Sequence, residues 1–146
     1  MTGKFGQIER LKNITTAKMA LEQIEGAPVL EMRPATEDNR EYFNAAFQSS
    51  KKRARKAKAQ GLDVEAFKSL RDQDRLLFSK YVIVGWEKVV DFGGTPVVFT
   101  EEDCREFLKA LPTWLFDEVR AFANEPLNFL KDDALGVEDG DELGES

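Results

Sequence analysis

The eight residues Lys51-Lys52-Arg53-Ala54-Arg55-Lys56-Ala57-Lys58 carry six positive charges, and clustered Lys and Arg do one kind of chemistry: they hold anions, phosphate or carboxylate. Other chemistry is scarce. The chain has no His, which removes the Ser-His-Asp triad, the His-paired thiolate and every His-containing metal site together. Its single cysteine, Cys104, permits neither an internal disulfide nor a CxxC motif. Cys104 lies on the apolar side of its segment beside Phe107 and Leu108, so it reads as a buried, inert thiol. Paired acids can serve as general acid and base, but Glu101-Glu102-Asp103 follows Thr100 in the pattern of a helix cap. Asp91, Asp117 and Glu118 fall on surface-like positions, and Gly85, Gly93 and Gly94 match neither G-x-G-x-x-G nor a P-loop. The expectation is a non-enzymatic chain with no catalytic, metal or cofactor-binding residue.

What the basic run holds depends on its surroundings. No aromatic residue interleaves it, and the segment 131–146 carries seven acids against one base, which leaves 20 acids and 20 bases in the other 130 residues. A neutral body offers phosphate no net attraction and an acidic tail repels it, so nucleic acid is the weaker reading and a solvated helix face the stronger. Between them stands a face that receives acidic surface, from a partner or from the chain's own tail. On this reading Lys51, Lys52, Arg53, Arg55 and Lys56 are candidate partner-binding residues. Trp86 and Trp114, each at an element boundary, are candidate apolar anchors or core residues.

The elements that must position these residues follow from period and punctuation. With 146 residues, 42% hydrophobic and 33% charged, the chain suits one water-soluble domain. Its longest apolar run is far short of the ~20 residues a membrane-spanning helix needs. Ile8, Leu11, Ile14, Ala17, Leu21 and Ile24 predict a first helix, stopped by Gly26 and Pro28. Val29 to Arg33, between prolines, predicts a short edge strand. Thr36 is the expected cap of a second helix whose stripe runs through Phe43, Ala46, Phe47, Ser50, Ala54 and Ala57, with the charges on the other faces and Gly61 as the stop. A third helix is expected from Asp63 through Val84, and the apolar content from Leu76 to Val84 marks the centre of the core.

Beyond Trp86 the period becomes that of strands. Residues 88–92 and 95–99 predict a small hairpin joined by Gly93-Gly94, with Pro96 on an edge. Thr100 caps a helix through Leu111, Pro112 breaks it, and a further helix runs to Asn124. Leu127, Phe129 and Leu130 form a last apolar latch. The expected core is Phe67, Leu70, Leu77, Phe78, Tyr81, Phe107, Leu108, Phe116 and Phe122. The sum is a mainly α domain over residues 1–130, about five helices and a small β-hairpin, followed by a disordered acidic tail from about Lys131. Met1 to Lys4 opens no apolar signal-peptide core, and a lone cysteine suits a reducing cytoplasm.

Several of these stretches occur together in a known kind of protein. Tyr81-Val82-Ile83-Val84-Gly85-Trp86-Glu87, the Gly-Gly turn, Thr95-Pro96-Val97-Val98-Phe99-Thr100-Glu101-Glu102, Leu111-Pro112, Trp114-Leu115-Phe116-Asp117 and Asn128-Phe129 resemble the tail assembly chaperones of tailed bacteriophages. Pro34 to Asn44 is similar to the same small phage proteins, and the likeness spans residues 27 to 130. The resemblance implies a helical, non-enzymatic protein of the host cytoplasm. Such a protein keeps the phage tape measure protein soluble while the tail tube forms, contacts tube subunits or its own copies, binds no membrane, and is absent from the finished virion. A head-tail connector or tail completion protein, and a nucleic-acid-binding phage regulator, are the alternative readings.

Overall fold

A computed structural model describes residues 5–60 and 64–130, with side chains except at 57, 59, 60 and 64–69. Gly61, Asp63, the side chains of Ala57, Val64 and Phe67, and the expected tail from Lys131 lie outside the described residues. In chain order the elements are α1 (Gly6–Glu9) with a 3-10 turn (Arg10–Lys12), β1 (Ala17–Ala20), β2 (Val29–Met32), α2 (Arg40–Gln60) and α3 (Val64–Leu77). A π-helical turn (Phe78–Val82) leads into β3 (Ile83–Glu87), and α4 (Glu101–Ala110), α5 (Thr113–Ala123) and a 3-10 turn (Pro126–Phe129) complete the fold. It is a mainly α protein with a small antiparallel sheet.

The sheet is where expectation and structure part. The predicted first helix is one helical turn followed by β1, and the predicted edge strand β2 is the centre of a three-stranded sheet ordered β1-β2-β3. Leu30 and Met32 point inward and are fully buried, with Met19 and Trp86 opposite Leu30 and with Ala17 and Ile83 opposite Met32. Ile83 and Trp86 are three residues apart, an odd spacing that strict alternation would send to opposite faces. A bulge at Glu31/Met32 resolves this by turning both inward and leaving Val84 exposed. On the outer face Lys18 of β1 donates to Glu87 of β3 at 2.7 Å, spanning β2. Leu21, part of the expected helical stripe, is buried in the β1–β2 connection, where Gly26 takes φ +84° in a turn and stops no helix.

The predicted third helix ends as α-helix at Leu77, seven residues early, and continues as the wider π-helical turn to Val82 before the chain becomes β3. That conversion strands carbonyls that a continuing helix would have used. Three carbonyls of the turn find donors: Ile83 N–H reaches Phe78 O, Arg33 N–H reaches Val82 O at 2.7 Å, and Asn39 Nδ2 reaches Tyr81 O at 2.7 Å. Asn39, 1% exposed, also accepts from Tyr42 N–H at 3.3 Å, which makes it the cap of α2. Thr36, the expected cap, closes only a local turn, accepting from Asp38 N–H.

Three helical segments carry the rest of the core. Thr100 caps α4 as expected, accepting from Asp103 N–H at 3.0 Å, and Pro112 separates α4 from α5. Phe78 stacks edge-on against both Tyr42 and Phe116, and Leu108, Leu115, Phe116, Val119 and Phe129 are buried against the inner face of the sheet. Of the expected core, Leu77, Phe78, Leu108 and Phe116 are buried, whereas Leu70, Tyr81, Phe107 and Phe122 are half-buried. The latch forms through Phe129 and Leu130, which meet Thr15 and Ile14, while Leu127 stays exposed. The hairpin of residues 88–99 is reduced to one bridge, Val90 with Pro96. Its loop has three residues, Phe92 to Gly94, and of the two glycines Gly94 alone adopts positive φ.

A polar seam ties α3 to α4 and α5. Arg75 donates to Leu108 O at the C-terminal end of α4 and lies 4.9 Å over the Phe116 ring. Arg120 pairs with Asp74 at 2.7 Å and with Asp117 at 2.9 Å, and Arg71 also donates to Asp117. The Arg71 hydrogen bond, then that from Arg120, hold the Asp117 carboxyl below the usual carboxylate range.

Two predictions follow from these contacts. Asn39→Ala removes a helix cap and orphans a buried carbonyl, a loss of about 2–3 kcal/mol, and should lower Tm by roughly 5–10 °C. Thr36→Ala should lower it by less than ~2 °C, and a larger loss from Thr36 than from Asn39 would place the cap at Thr36 after all. Because the folded pKa of Asp117 is depressed, its contribution is present above the unfolded value of about 4 and disappears as pH falls through that value toward the lower folded one. Urea midpoints of wild type and Asp117→Asn should therefore differ at pH 7 and converge below about pH 4.

Candidate functional site

The basic run occupies the C-terminal half of α2, where positive charge suits the helix dipole. Of 21 residues in α2 the only acid is Glu41, which receives Arg33 at 2.9 Å. The helix packs on α3 and on the π-helical turn. The half-buried positions among its described side chains are Tyr42, Ala45, Ala46, Ser49 and Arg53, a helical row that meets Phe78 through Tyr42. Burial raises the Tyr42 phenol above its ordinary pKa, and the negative charge of Asp74 adds to the rise.

This is not the stripe that the sequence predicts. Phe43 and Phe47, expected to face the core, lie roughly a third of a turn away from the packed row and are 47% and 55% exposed. Lys51 holds its Nζ 5.5 Å from the centre of the Phe47 ring. Phe43, Phe47, Lys51 and Arg55 thus form one i, i+4 ridge along the outer surface, aromatic at one end and cationic at the other. Lys52 and Lys56 are exposed behind this ridge, and Arg53 belongs to the packed row. The five nominated basic residues therefore face three directions. Of the predicted stripe Ala46 alone among the described side chains lies in the packed row; the overlooked signal is its small neighbours Ala45 and Ser49, which let α2 pack while both phenylalanines point outward.

The two tryptophans have different fates. Trp86 is half-buried, stacks edge-on against Phe99 at 5.1 Å, tilts against Phe107 at 5.5 Å, and donates its indole N–H to Val97 O at 2.8 Å. It is a structural residue of the sheet and α4 seam. Trp114, in the first turn of α5, is 55% exposed and remains available as an anchor. The loop tip adds a residue that spacing did not reveal: Phe92, fully exposed, on a turn where Asp91 Oδ1 accepts from both Gly93 and Thr95 N–H at 2.9 Å. Among the described residues no group of three His, Cys, Asp or Glu side chains is placed to hold a metal ion, and no helix is long and apolar enough to cross a membrane.

Residues 37–139 match the family model described as YdaY prophage protein. The chain belongs to the YdaY prophage protein family. No curated protein and no solved structure matches it. The matched span opens two residues before the Asn39 cap and takes in α2, α3, the π-helical turn, β3, α4 and α5, so the outer ridge lies wholly within it. The chain is therefore of phage origin, as the resemblance implies at its coarsest level.

Cys104 gives the chain an internal probe. It is fully buried in α4, and burial, reinforced by the negative charge of Glu101, pushes its thiol up to about 12. At pH 8 roughly one such thiol in ten thousand is ionised, so a thiol reagent should label the native chain only as fast as it opens, and at once in denaturant. Rapid stoichiometric labelling of the native chain would show the thiol to be accessible.

Proposed function

We propose that this prophage protein is a tail assembly chaperone: a non-enzymatic escort that covers apolar surface on the phage tape measure protein in the host cytoplasm and departs before the virion is complete. The observation that carries the proposal is the outer ridge of α2, two half-exposed phenylalanines continuous with a cationic helix end on a chain of phage origin. Monomeric domains seldom leave paired aromatics outward on one helix unless another surface covers them. The residue-level likeness to tail assembly chaperones over positions 27 to 130 supports the same reading. A long helical client would aggregate through its apolar faces, and a ridge of this kind covers such a face by packing helix against helix. Charge beside the aromatics makes the attraction salt-sensitive, which suits a partner that has to be released.

Co-expression with the tape measure protein of the same prophage should move that chain from the insoluble to the soluble fraction, and the two should co-purify. Mass spectrometry of purified virions should then find the tape measure protein and miss this one. Its presence as a stoichiometric virion component would establish a connector or tail completion role in its place, and tail tube subunits co-purifying without tape measure protein would reassign the client.

A further inference from the structure

The outer ridge of α2 says more about its occupant than that it is a polypeptide. Phe43 and Phe47 are one turn apart, about 6 Å along the axis, and Lys51, Arg55 and Lys58 continue the same surface for roughly another 17 Å. All three cations are exposed. Ala54, also exposed, lies one turn beyond Lys51 among the cations of this surface and leaves a shallow place that a neighbouring helix can approach closely. Phosphate would be met by cations alone; here the cations adjoin two apolar rings, one of which lies under the Lys51 ammonium.

We propose that this ridge is a docking site for an acidic amphipathic helix that presents an apolar turn to Phe43 and Phe47 and a row of Asp or Glu to Lys51, Arg55 and Lys58. The proposal rests on the escort reading and deepens it by naming the chemistry of the recognised segment. Charge complementarity fixes the orientation of the bound helix, because only one direction places its acids against the cations. The apolar turn supplies contact that charge in water does not. The dipole of α2 accounts for positive charge at Lys58, in its last turn; it accounts neither for Lys51 and Arg55 further back nor for the outward aromatics in line with them.

The test is titration of the full chain, by calorimetry or fluorescence anisotropy, with three probes. These are a helical peptide carrying Leu at i, i+3 and i+4 and Glu at i+8, i+12 and i+15, the same peptide with Lys for Glu, and a single-stranded RNA oligonucleotide of equal charge. The acidic peptide should bind best, and its affinity should fall about tenfold between 50 and 300 mM salt. Phe43→Ala/Phe47→Ala should weaken it at least tenfold, and Lys51→Glu/Arg55→Glu/Lys58→Glu should transfer the preference to the Lys peptide, both variants keeping the wild-type helical circular dichroism. Affinity within twofold of wild type in both variants, or tighter binding of RNA than of the acidic peptide, overturns the site. A tenfold gain in peptide affinity when the seven acids of residues 131–146 are neutralised in the full chain would make that segment the occupant and overturn the partner. The two readings fail separately. Ridge variants that still solubilise the tape measure protein overturn this site and leave the escort standing, whereas peptide binding without any solubilisation removes the escort and leaves the site.

Discussion

The carboxamide of Asn39 holds the two halves of the molecule in register. Its Nδ2 donates to Tyr81 O, one of the carbonyls freed where the π-helical turn becomes β3, and its Oδ1 accepts from Tyr42 N–H to begin α2. A buried amide stripped of either partner would cost about as much as the helix cap it provides. The direction of α2 and the switch from helix to strand are therefore one constraint, satisfied by a single side chain. From Tyr42 the constraint passes to Phe78 at 5.8 Å and on to Phe116 at 5.7 Å, and Phe116 lies beneath Arg75 and Arg120. The aromatic chain thus ties the start of α2 to α5.

How much of this can be read from residues alone depends on whether a pattern is decided locally. Thr100 with three acids behind it, and Pro112 between two amphipathic runs, specify α4 and α5 through their own backbone chemistry, and the structure agrees with both. The N-terminal part is different. Ile14, Ala17 and Leu21 recur at helical spacing, yet Ile14 bridges Leu130, Ala17 sits in a strand opposite Met32, and Leu21 is buried in a turn. They are inside for three unrelated reasons, so their period carries no information about their conformation. The run from Leu76 to Val84 fails in the opposite way: its burial is read correctly, but apolar content on every side does not distinguish a buried helix from a π-helical turn leading into a bulged strand.

The candidate site was half legible for a related reason. The basic cluster on α2 is a matter of composition and needs no fold to be found. Which way the helix faces is a tertiary question, decided between a small-residue row containing Tyr42 and a row containing two phenylalanines. Summed apolar area favours the phenylalanines inward. The geometry favours the other row, because Ala45, Ala46 and Ser49 allow close packing and because Asn39 and the Tyr42–Phe78 contact fix the rotation of the helix at its first turn. A residue type that looks like core can thus become surface when a short-range polar contact sets the rotation.

That outcome bears on what kind of interaction such a surface supports. Lysines and arginines that only complement the C-terminal dipole gain nothing from aromatic neighbours and are screened by salt within about a nanometre. Phenylalanines that only fill a core would be buried. Here two rings remain half in water, and an ammonium lies over one of them. Each part is weak alone, since an exposed cation–π pair contributes well under a kilocalorie to about one and exposed ion pairs similar amounts. A partner that supplies an apolar turn and acids together engages both at once, and a loss of charge attraction alone is enough to loosen it. Affinity assembled from two modest, separable contributions suits an association that has to form during assembly and end afterwards.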